Sequence, residues 1–134
     1  MRSALGEAEA SFVRWQRVAR FASVGVDGMP HVVPVCPVLD GDTILIASDE
    51  NAKVRNLRAD PRCAVVFDSY VEDWNHNHQV QVRGTATLIS EGPEWDRAKA
   101  LLDEKFRQYE PLFPIAAGTL MIRVAIERVT SEGF

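Results

Sequence analysis

The chain has 134 residues, with 15 Lys and Arg, 19 Asp and Glu, and a formal net charge of −4. This length suits one domain with its own hydrophobic core, and the acidic balance argues against a nucleic-acid-binding protein, whose domain is normally basic. No apolar run approaches the roughly 20 residues of a membrane span, and residues 1–10 lack the apolar segment of a signal peptide. The two cysteines, Cys36 and Cys63, form neither a CxxC metal motif nor a disulfide framework. We therefore expect a single cytoplasmic domain over residues 1–134.

The chain opens with a helical pattern. Apolar residues recur at spacings of three and four, which predicts that they share one helix face: Leu5, Ala8, Phe12, Trp15 and Ala19. Polar residues fall mostly on the other face: Glu7, Glu9, Arg14 and Gln16.

Three short strands are predicted next, over residues 20–26, 31–39 and 43–47. Asp-Gly pairs at 27–28 and 40–41 separate them, and both central residues of such a pair tolerate the positive φ of a tight hairpin turn. The pattern therefore indicates an antiparallel meander. Pro34 and Pro37 cannot donate to a strand ladder, so the second strand is an edge strand, is bulged, or faces a ligand along its free side.

A short helix is predicted over residues 51–59, with Asn51 as its N-cap and Pro61 ending it by restricting the residue before it. Two strands follow, over residues 63–67 and 79–89. The longer one alternates, which places every second residue on one face: Val80, Val82, Gly84, Ala86 and Leu88. A glycine in mid-strand predicts a bulge or a close backbone approach at Gly84.

A further helix begins after Gly92 at Pro93, which suits a first helical position. Its apolar stripe is predicted to comprise Trp95, Ala98, Leu101, Leu102 and Phe106. The helix is predicted to end over residues 109–114, and a last strand covers residues 119–129. The fold class is therefore mainly β with some α, an antiparallel barrel of about six strands with short flanking helices, rather than a parallel sheet.

No motif for nucleophilic or metal catalysis is present: GxSxG, HExxH, the P-loop and GxGxxG are all missing from the sequence. Both cysteines lie in apolar strand contexts, where a thiol is usually inert packing. His76 and His78 lie beside acidic residues, a pattern more typical of a solvated loop than of a metal site. No catalytic residue and no metal ligand is therefore assigned.

The strongest polar cluster is basic and lies at the start of the predicted helix over residues 51–59. It comprises Lys53, Arg55, Asn56 and Arg58. A helix N-terminus with basic side chains is a natural anion site, and charge-assisted hydrogen bonds of roughly 1.5–3 kcal/mol each would anchor a phosphate monoester. The alternative is a solvated basic helix face, to which Arg58 and Arg62 are more suited.

From Arg17 onward, the ordered set of segments resembles the pyridoxamine 5′-phosphate oxidase-like flavin-binding split-barrel superfamily. The resemblance is carried by RVARFASVGVDGMPHVVPVCPVLDGDTILIASDENAKVRNLRADPRCAVVFDSY and by HQVQVRGTATLI. The segments DSYVEDWN, GPEWDRAKALL and IRVAIERVTSEGF are most similar to a branch described as using a deazaflavin coenzyme. The resemblance implies a six-stranded split barrel that forms a homodimer with two cofactor sites at its interface.

The resemblance also assigns cofactor-binding residues in groups. One group lies along the flavin ring: Pro34, Val35 and Cys36. A second approaches the ribityl chain or the phosphate: Ala47 and Ser48. A third binds the phosphate: Lys53, Arg55 and Asn56. A last group contributes from the partner subunit: Trp74, Gln79 and Gln81.

The implied function is hydride transfer to or from a small organic substrate by an oxidoreductase that uses FMN or the deazaflavin coenzyme F420. True pyridoxamine phosphate oxidases carry an Arg-rich motif before the third strand and a C-terminal Arg-Leu-x-Pro. This chain has VVPVCPV and RVTSEGF instead, so the vitamin is not the expected substrate. One alternative is a non-catalytic FMN- or haem-binding module for storage or sensing, with His31, His76 or His78 as axial ligand. Another is a split barrel that keeps the dimer and binds no cofactor.

Overall fold

A computed structural model describes residues 2–134. Its single antiparallel sheet has seven strands: β1 (Ala19–Val24), β2 (Pro30–Val35), β3 (Val38–Asp40), β4 (Thr43–Ser48), β5 (Arg62–Ser69), β6 (His78–Ile89) and β7 (Leu120–Glu132). The order across the sheet is β2-β1-β5-β6-β7-β4-β3. The predicted antiparallel, mainly β fold is confirmed, with seven strands instead of six.

The additional strand arises because the predicted strand over residues 31–39 is two strands. β2 ends at Val35 and β3 begins at Val38, so Cys36 and Pro37 form the break. A proline lacks the N–H that a continued ladder needs. β2 and β3 are the two edges of the sheet and are joined by only these two residues, so the sheet curves back on itself. This is a split barrel, and Pro34 lies in an edge strand as predicted.

The helices are α1 (Glu7–Trp15), α2 (Ala52–Ala59), α3 (Pro93–Lys105) and α4 (Tyr109–Leu112). The predicted start of α2 is confirmed, because the Asn51 side chain accepts a hydrogen bond from the Val54 N–H. α4 is a short helix in the segment where the sequence predicted only a helix end. No helix within residues 2–134 is long and apolar enough to cross a membrane.

The predicted facing of α1 is only partly correct, because Leu5 and Phe12 pack against the core but Ala8 and Trp15 are exposed. Trp15 is 81% exposed, whereas Glu9 and Val13 are buried, and Ala19 belongs to β1. The Glu9 carboxylate can be buried because it is fully hydrogen-bonded, with donors that include Arg2 and Ser131.

Two apolar clusters make up the core. The first fills the barrel and receives Val13 from α1 and Val54 and Leu57 from α2. The second lies on the other side of β3 and β4, where α3 packs Ala98 and Leu102 against the sheet. Successive residues of β4 serve the two clusters alternately, as expected for a strand with both faces covered.

Gly84 lies at a bulge, as predicted. The register between β6 and β7 shifts between Arg83 and Gly84, and a Cβ at Gly84 would overlap the carbonyl oxygen of Ala125. The shift leaves Glu127 as an extra residue in β7. The residues that face the core are therefore even-numbered before the bulge, as at Val124, and odd-numbered after it, as at Val129.

Candidate functional site

Buried polar side chains concentrate around α2. The polar or charged residues that are buried within residues 2–134 are Glu9, Ser23, Ser48, Lys53 and Asn56. Four of these lie on or beside the first two turns of α2, and we call them the α2 polar cluster: Ser23, Ser48, Lys53 and Asn56. Ser48 ends β4, and the Asn51 cap then turns the chain so that the first helical turn carries Lys53 inward.

Lys53 is a buried cation with little compensation. It is 7% exposed, and its Nζ donates to Ser48 Oγ at 2.6 Å, while Ser48 Oγ donates to the carbonyl of Asp49 at 2.8 Å. An ammonium group carries three N–H donors, and no other hydrogen bond or ion pair of Lys53 is present within the described part of the chain. Burial lowers the pKa of Lys53, and the nearby Asp49 opposes this only in part.

Asn56 is also directed into the protein. Its Nδ2 donates to Ser23 Oγ at 3.1 Å, and Ser23 is paired with His31 across the β1–β2 ladder. The polar chain therefore continues from α2 through β1 to the edge strand β2.

A cleft of about 250 Å³ opens between β2 and the start of α2. It is lined by His31, Val33, Pro34, Asn51, Ala52 and Lys53, and we call it the β2–α2 cleft. His31 Nδ1 is buried and has no hydrogen-bond partner in residues 2–134. The cleft thus joins one predicted ring-lining residue, Pro34, to the predicted phosphate anchor Lys53.

His31 is the residue that sequence reasoning missed for this cleft, having considered it only as a haem ligand. The signal was present, because His31, Val33 and Val35 alternate along the strand and share one face. A polar residue at an inward position of an otherwise apolar strand face indicates a site.

Ala47, Ser48 and Asp49 line a second cleft, of about 380 Å³, at the end of β4. Its other wall comes from α4 and the segment that follows, which the sequence did not connect with the site: Tyr109, Leu112, Phe113, Pro114, Ile115 and Thr119. We call it the β4–α4 cleft. Ser48 lies between the two clefts, since its Oγ also contacts Lys53.

The other predicted site residues line neither of these two clefts. Val35 is buried at the end of β2, and Arg55 is exposed on α2, where it acts electrostatically on Glu50. Trp74 is 74% exposed on the loop between β5 and β6. Gln79 begins the outer face of β6, beside a separate cleft of about 250 Å³, and Gln81 follows on the same face.

The two cysteines differ in their exposure to solvent. Cys63 is buried, and burial raises the pKa of its thiol to about 12, so it is inert as expected. Cys36 is exposed in the break between β2 and β3, so the expectation that it is packed within a strand was wrong. The break at Pro37 exposes it.

The basic residues suited to a solvated face are paired with carboxylates. Arg58 lies 2.6 Å from Glu50 and Arg62 lies 2.6 Å from Asp60. On the loop between β5 and β6, His76 Nδ1 lies 2.9 Å from Asp73 Oδ2. Among residues 2–134, no group of three His, Cys, Asp or Glu side chains is arranged to hold a metal ion.

The pyridoxamine 5′-phosphate oxidase family matches this chain over residues 5–132. The chain therefore belongs to that family, and the resemblance found in the sequence is confirmed. No curated protein matches it.

Solved structures share the fold. A conserved hypothetical protein from Mycobacterium tuberculosis is 23% identical with a TM-score of 0.82, over 96% of this chain and 84% of that one. An FAD-binding protein from Mesorhizobium loti is 23% identical with a TM-score of 0.78, over 95% and 94% of the two chains. The haem storage protein from Vibrio cholerae is 16% identical with a TM-score of 0.82, over 98% and 96%. One fold thus occurs in proteins that bind different cofactors.

Proposed function

We propose that this protein is an oxidoreductase that binds FMN or the deazaflavin coenzyme F420, with the cofactor phosphate at Lys53 in the β2–α2 cleft. The observation that carries the proposal is a buried ammonium with one hydroxyl partner, in a cleft that is also lined by His31, whose buried Nδ1 has no hydrogen-bond partner in residues 2–134. A phosphate would supply the negative charge that Lys53 lacks, and both groups fit it.

The start of α2 favours the same ligand. The first N–H groups of a helix have no partner within it, and Asn51 caps only that of Val54, which leaves those of Ala52 and Lys53 at the cleft. Backbone N–H groups and the helix dipole favour an anion at this position. In the proposal Arg55 adds charge from the solvent side, and Asn56 holds Ser23 behind the site.

When bound, the flavin or deazaflavin would supply hydride transfer to or from a small organic substrate. The chain would anchor the phosphate and present an apolar wall to the ring with Val33 and Pro34, continued by Val35 and Cys36. We propose the β4–α4 cleft as the substrate site, because Ser48 links it to Lys53 and its wall combines apolar side chains, such as Leu112 and Phe113, with the polar Asp49.

We also propose that the protein forms a homodimer with the cofactor sites at the interface, where Trp74 and Gln79 of one subunit would reach the other. The outer face of β1, β2 and β5 supports this, because Ala22 lies between Val32 and Ala64 in the ladders and Val32 is 65% exposed. A solvent-facing sheet surface is normally polar. Light scattering should give about twice the mass of one 15.0 kDa chain, and the mass of one chain would contradict the dimer.

The anchor is tested by titrating the protein with FMN and with F420, by flavin fluorescence and calorimetry. Lys53→Met should raise the dissociation constant roughly 100-fold, because one or two charge-assisted hydrogen bonds are lost. Arg58→Ala, on the exposed face of the same helix, is the matched control and should leave the constant unchanged. Riboflavin, which lacks the phosphate, should bind the wild type and Lys53→Met equally. Equal FMN affinity of these two proteins would refute the anchor.

The second candidate is a non-catalytic haem-binding module, favoured by the imidazole of His31 in the β2–α2 cleft. Haemin titration distinguishes it, since a sharp Soret band that is lost in His31→Gln would support haem binding. Flavin binding without such a band would support the oxidoreductase.

A further inference from the structure

A groove of about 590 Å³ lies between the end of α1, the edge strand β3 and α3. Its apolar walls are formed by Trp15, Val38, Leu39 and Leu101, and Trp15 is 81% exposed. We call it the α1–α3 groove. Its volume is typical of small-molecule sites, which span roughly 300–1,000 Å³, and it shares no lining residue with the β2–α2 or the β4–α4 cleft.

Three cations line the groove: Arg14, Arg17 and Lys105. The Arg17 guanidinium carbon lies 4.7 Å and Lys105 Nζ lies 5.3 Å from the centroid of the same ring, that of Phe106. In the described residues none of the three cations forms an ion pair with a carboxylate. Glu104 is the one acidic residue of the lining. The groove therefore has an excess of positive charge in a chain of net charge −4.

Two of these cations are held in place by the backbone. Lys105 Nζ donates to the carbonyls of Gln16 at 2.7 Å and Pro37 at 2.8 Å, while Arg17 donates to the carbonyl of Lys105 at 3.0 Å. Burial and the adjacent Arg17 lower the pKa of Lys105 to about 8. Two like charges fixed side by side are stabilised by an anion placed between them.

We propose that the α1–α3 groove binds an amphipathic acid, a carboxylate whose aromatic or aliphatic body lies against Trp15 and Leu101. The carboxylate would accept hydrogen bonds from Arg14 and Arg17 and would lie beside Lys105. The body would displace water from the apolar wall, which is favourable for any apolar surface of matching size. This site is independent of the cofactor proposal, because it uses different residues.

The test uses decanoate and the fluorescent probe 1-anilinonaphthalene-8-sulfonate. The probe should bind saturably, and decanoate should displace it, whereas decan-1-ol and decyltrimethylammonium should not at the same concentrations. Arg14→Glu should weaken decanoate binding about tenfold, the loss of one charge-assisted hydrogen bond. Arg107→Glu, exposed just after α3 and outside the groove, is the matched control and should have no effect. Saturating FMN should leave the decanoate affinity unchanged.

Three results would overturn the proposal. One is equal displacement by decanol and decanoate, which would indicate a purely apolar surface. Another is equal weakening of decanoate binding by Arg107→Glu, which would indicate net charge alone. The third is conversion of a dimer to a monomer by Trp15→Glu, which would make the groove a subunit interface. A failure of flavin binding has no bearing on these measurements, so the two proposals fail separately.

Discussion

Two buried charges in this protein are in opposite situations. Glu9 receives two hydrogen bonds from Arg2, at 2.6 and 2.5 Å, one from the Gly6 N–H at 2.7 Å, and one from Ser131. Lys53 has one hydroxyl partner, Ser48. These partners lower the pKa of Glu9 to about 2, which favours its charged form, whereas burial lowers the pKa of Lys53, which disfavours its charged form.

The difference separates a structural charge from one that is available to a ligand. Glu9 clamps the N-terminal segment to β7, where Arg2 also forms a backbone bridge with Val129, and its acceptor capacity is used. Lys53, by contrast, forms only its hydrogen bond to Ser48 within the described residues, and this bond joins two neighbouring segments. A buried charge costs free energy unless it is fully paired, so Lys53 destabilises the ligand-free fold, which supports the proposal that an anion binds there.

The largest change in the free energy of unfolding is expected for substitution of Glu9. Glu9→Gln should lower the free energy of unfolding at pH 7 by roughly 3 kcal/mol, because a buried, charge-assisted set of hydrogen bonds is lost. The folded-state pKa is depressed from 4.5 to about 2, so this stability is present above pH 4.5 and is lost as the pH falls through that interval. Urea unfolding at pH 7, 4.5 and 3 measures both effects.

Glu7→Gln, on an exposed position of the same helix, is the control and should change little. If wild type and Glu9→Gln lose stability in parallel between pH 4.5 and pH 3, the Glu9 carboxylate is not the satisfied charge described above.

Substitution of Lys53 should change the stability of the protein in the opposite direction to substitution of Glu9. Lys53→Met should stabilise the cofactor-free protein by about 1 kcal/mol at pH 7, because it replaces an uncompensated buried ammonium with an apolar side chain of similar length. The penalty on Lys53 is present below its lowered pKa, and it disappears as the pH rises towards 10.5. Urea unfolding at pH 7 and pH 10, without phosphate, should therefore show the difference between the two proteins shrinking with pH.

A less stable Lys53→Met at pH 7 would show that the bond to Ser48 compensates the charge, and the contrast with Glu9 would vanish.

The features that the sequence predicted correctly are determined by neighbouring residues. The chain turns at both Asp-Gly pairs, although only Gly28 and Gly41, and neither aspartate, have a positive φ, and residues 25–29 form a longer connection than the tight turn predicted. Asn51 caps α2, and Gly84 leaves room for a bulge. Each depends on the conformational preference of one or two residues, so a short stretch of sequence is enough to recognise it.

The features that it missed depend on distant partners. Glu9 is buried because Ser131, 122 positions away, and Arg2 meet it there, and no helical period reveals such partners. Part of the candidate site could be located, because Lys53 and Pro34 both line the β2–α2 cleft. The cleft itself could not, since it depends on how the edge strand β2 lies against the start of α2.

The smallest change in cofactor affinity is expected for substitution of His31. This substitution tests whether His31, like Lys53, contacts a ligand in the β2–α2 cleft. The chain has three histidines, so their C2–H proton resonances can be resolved, and His31→Gln identifies the one from His31. FMN should shift that resonance, and riboflavin should shift it less, because the proposed site places the phosphate of FMN beside the His31 ring. His31→Gln should weaken FMN binding by roughly fivefold, the value of one ordinary hydrogen bond. A shift confined to His76 and His78, which lie on the β5–β6 side of the protein, would leave Lys53 as an isolated cation and move the ligand away from the cleft.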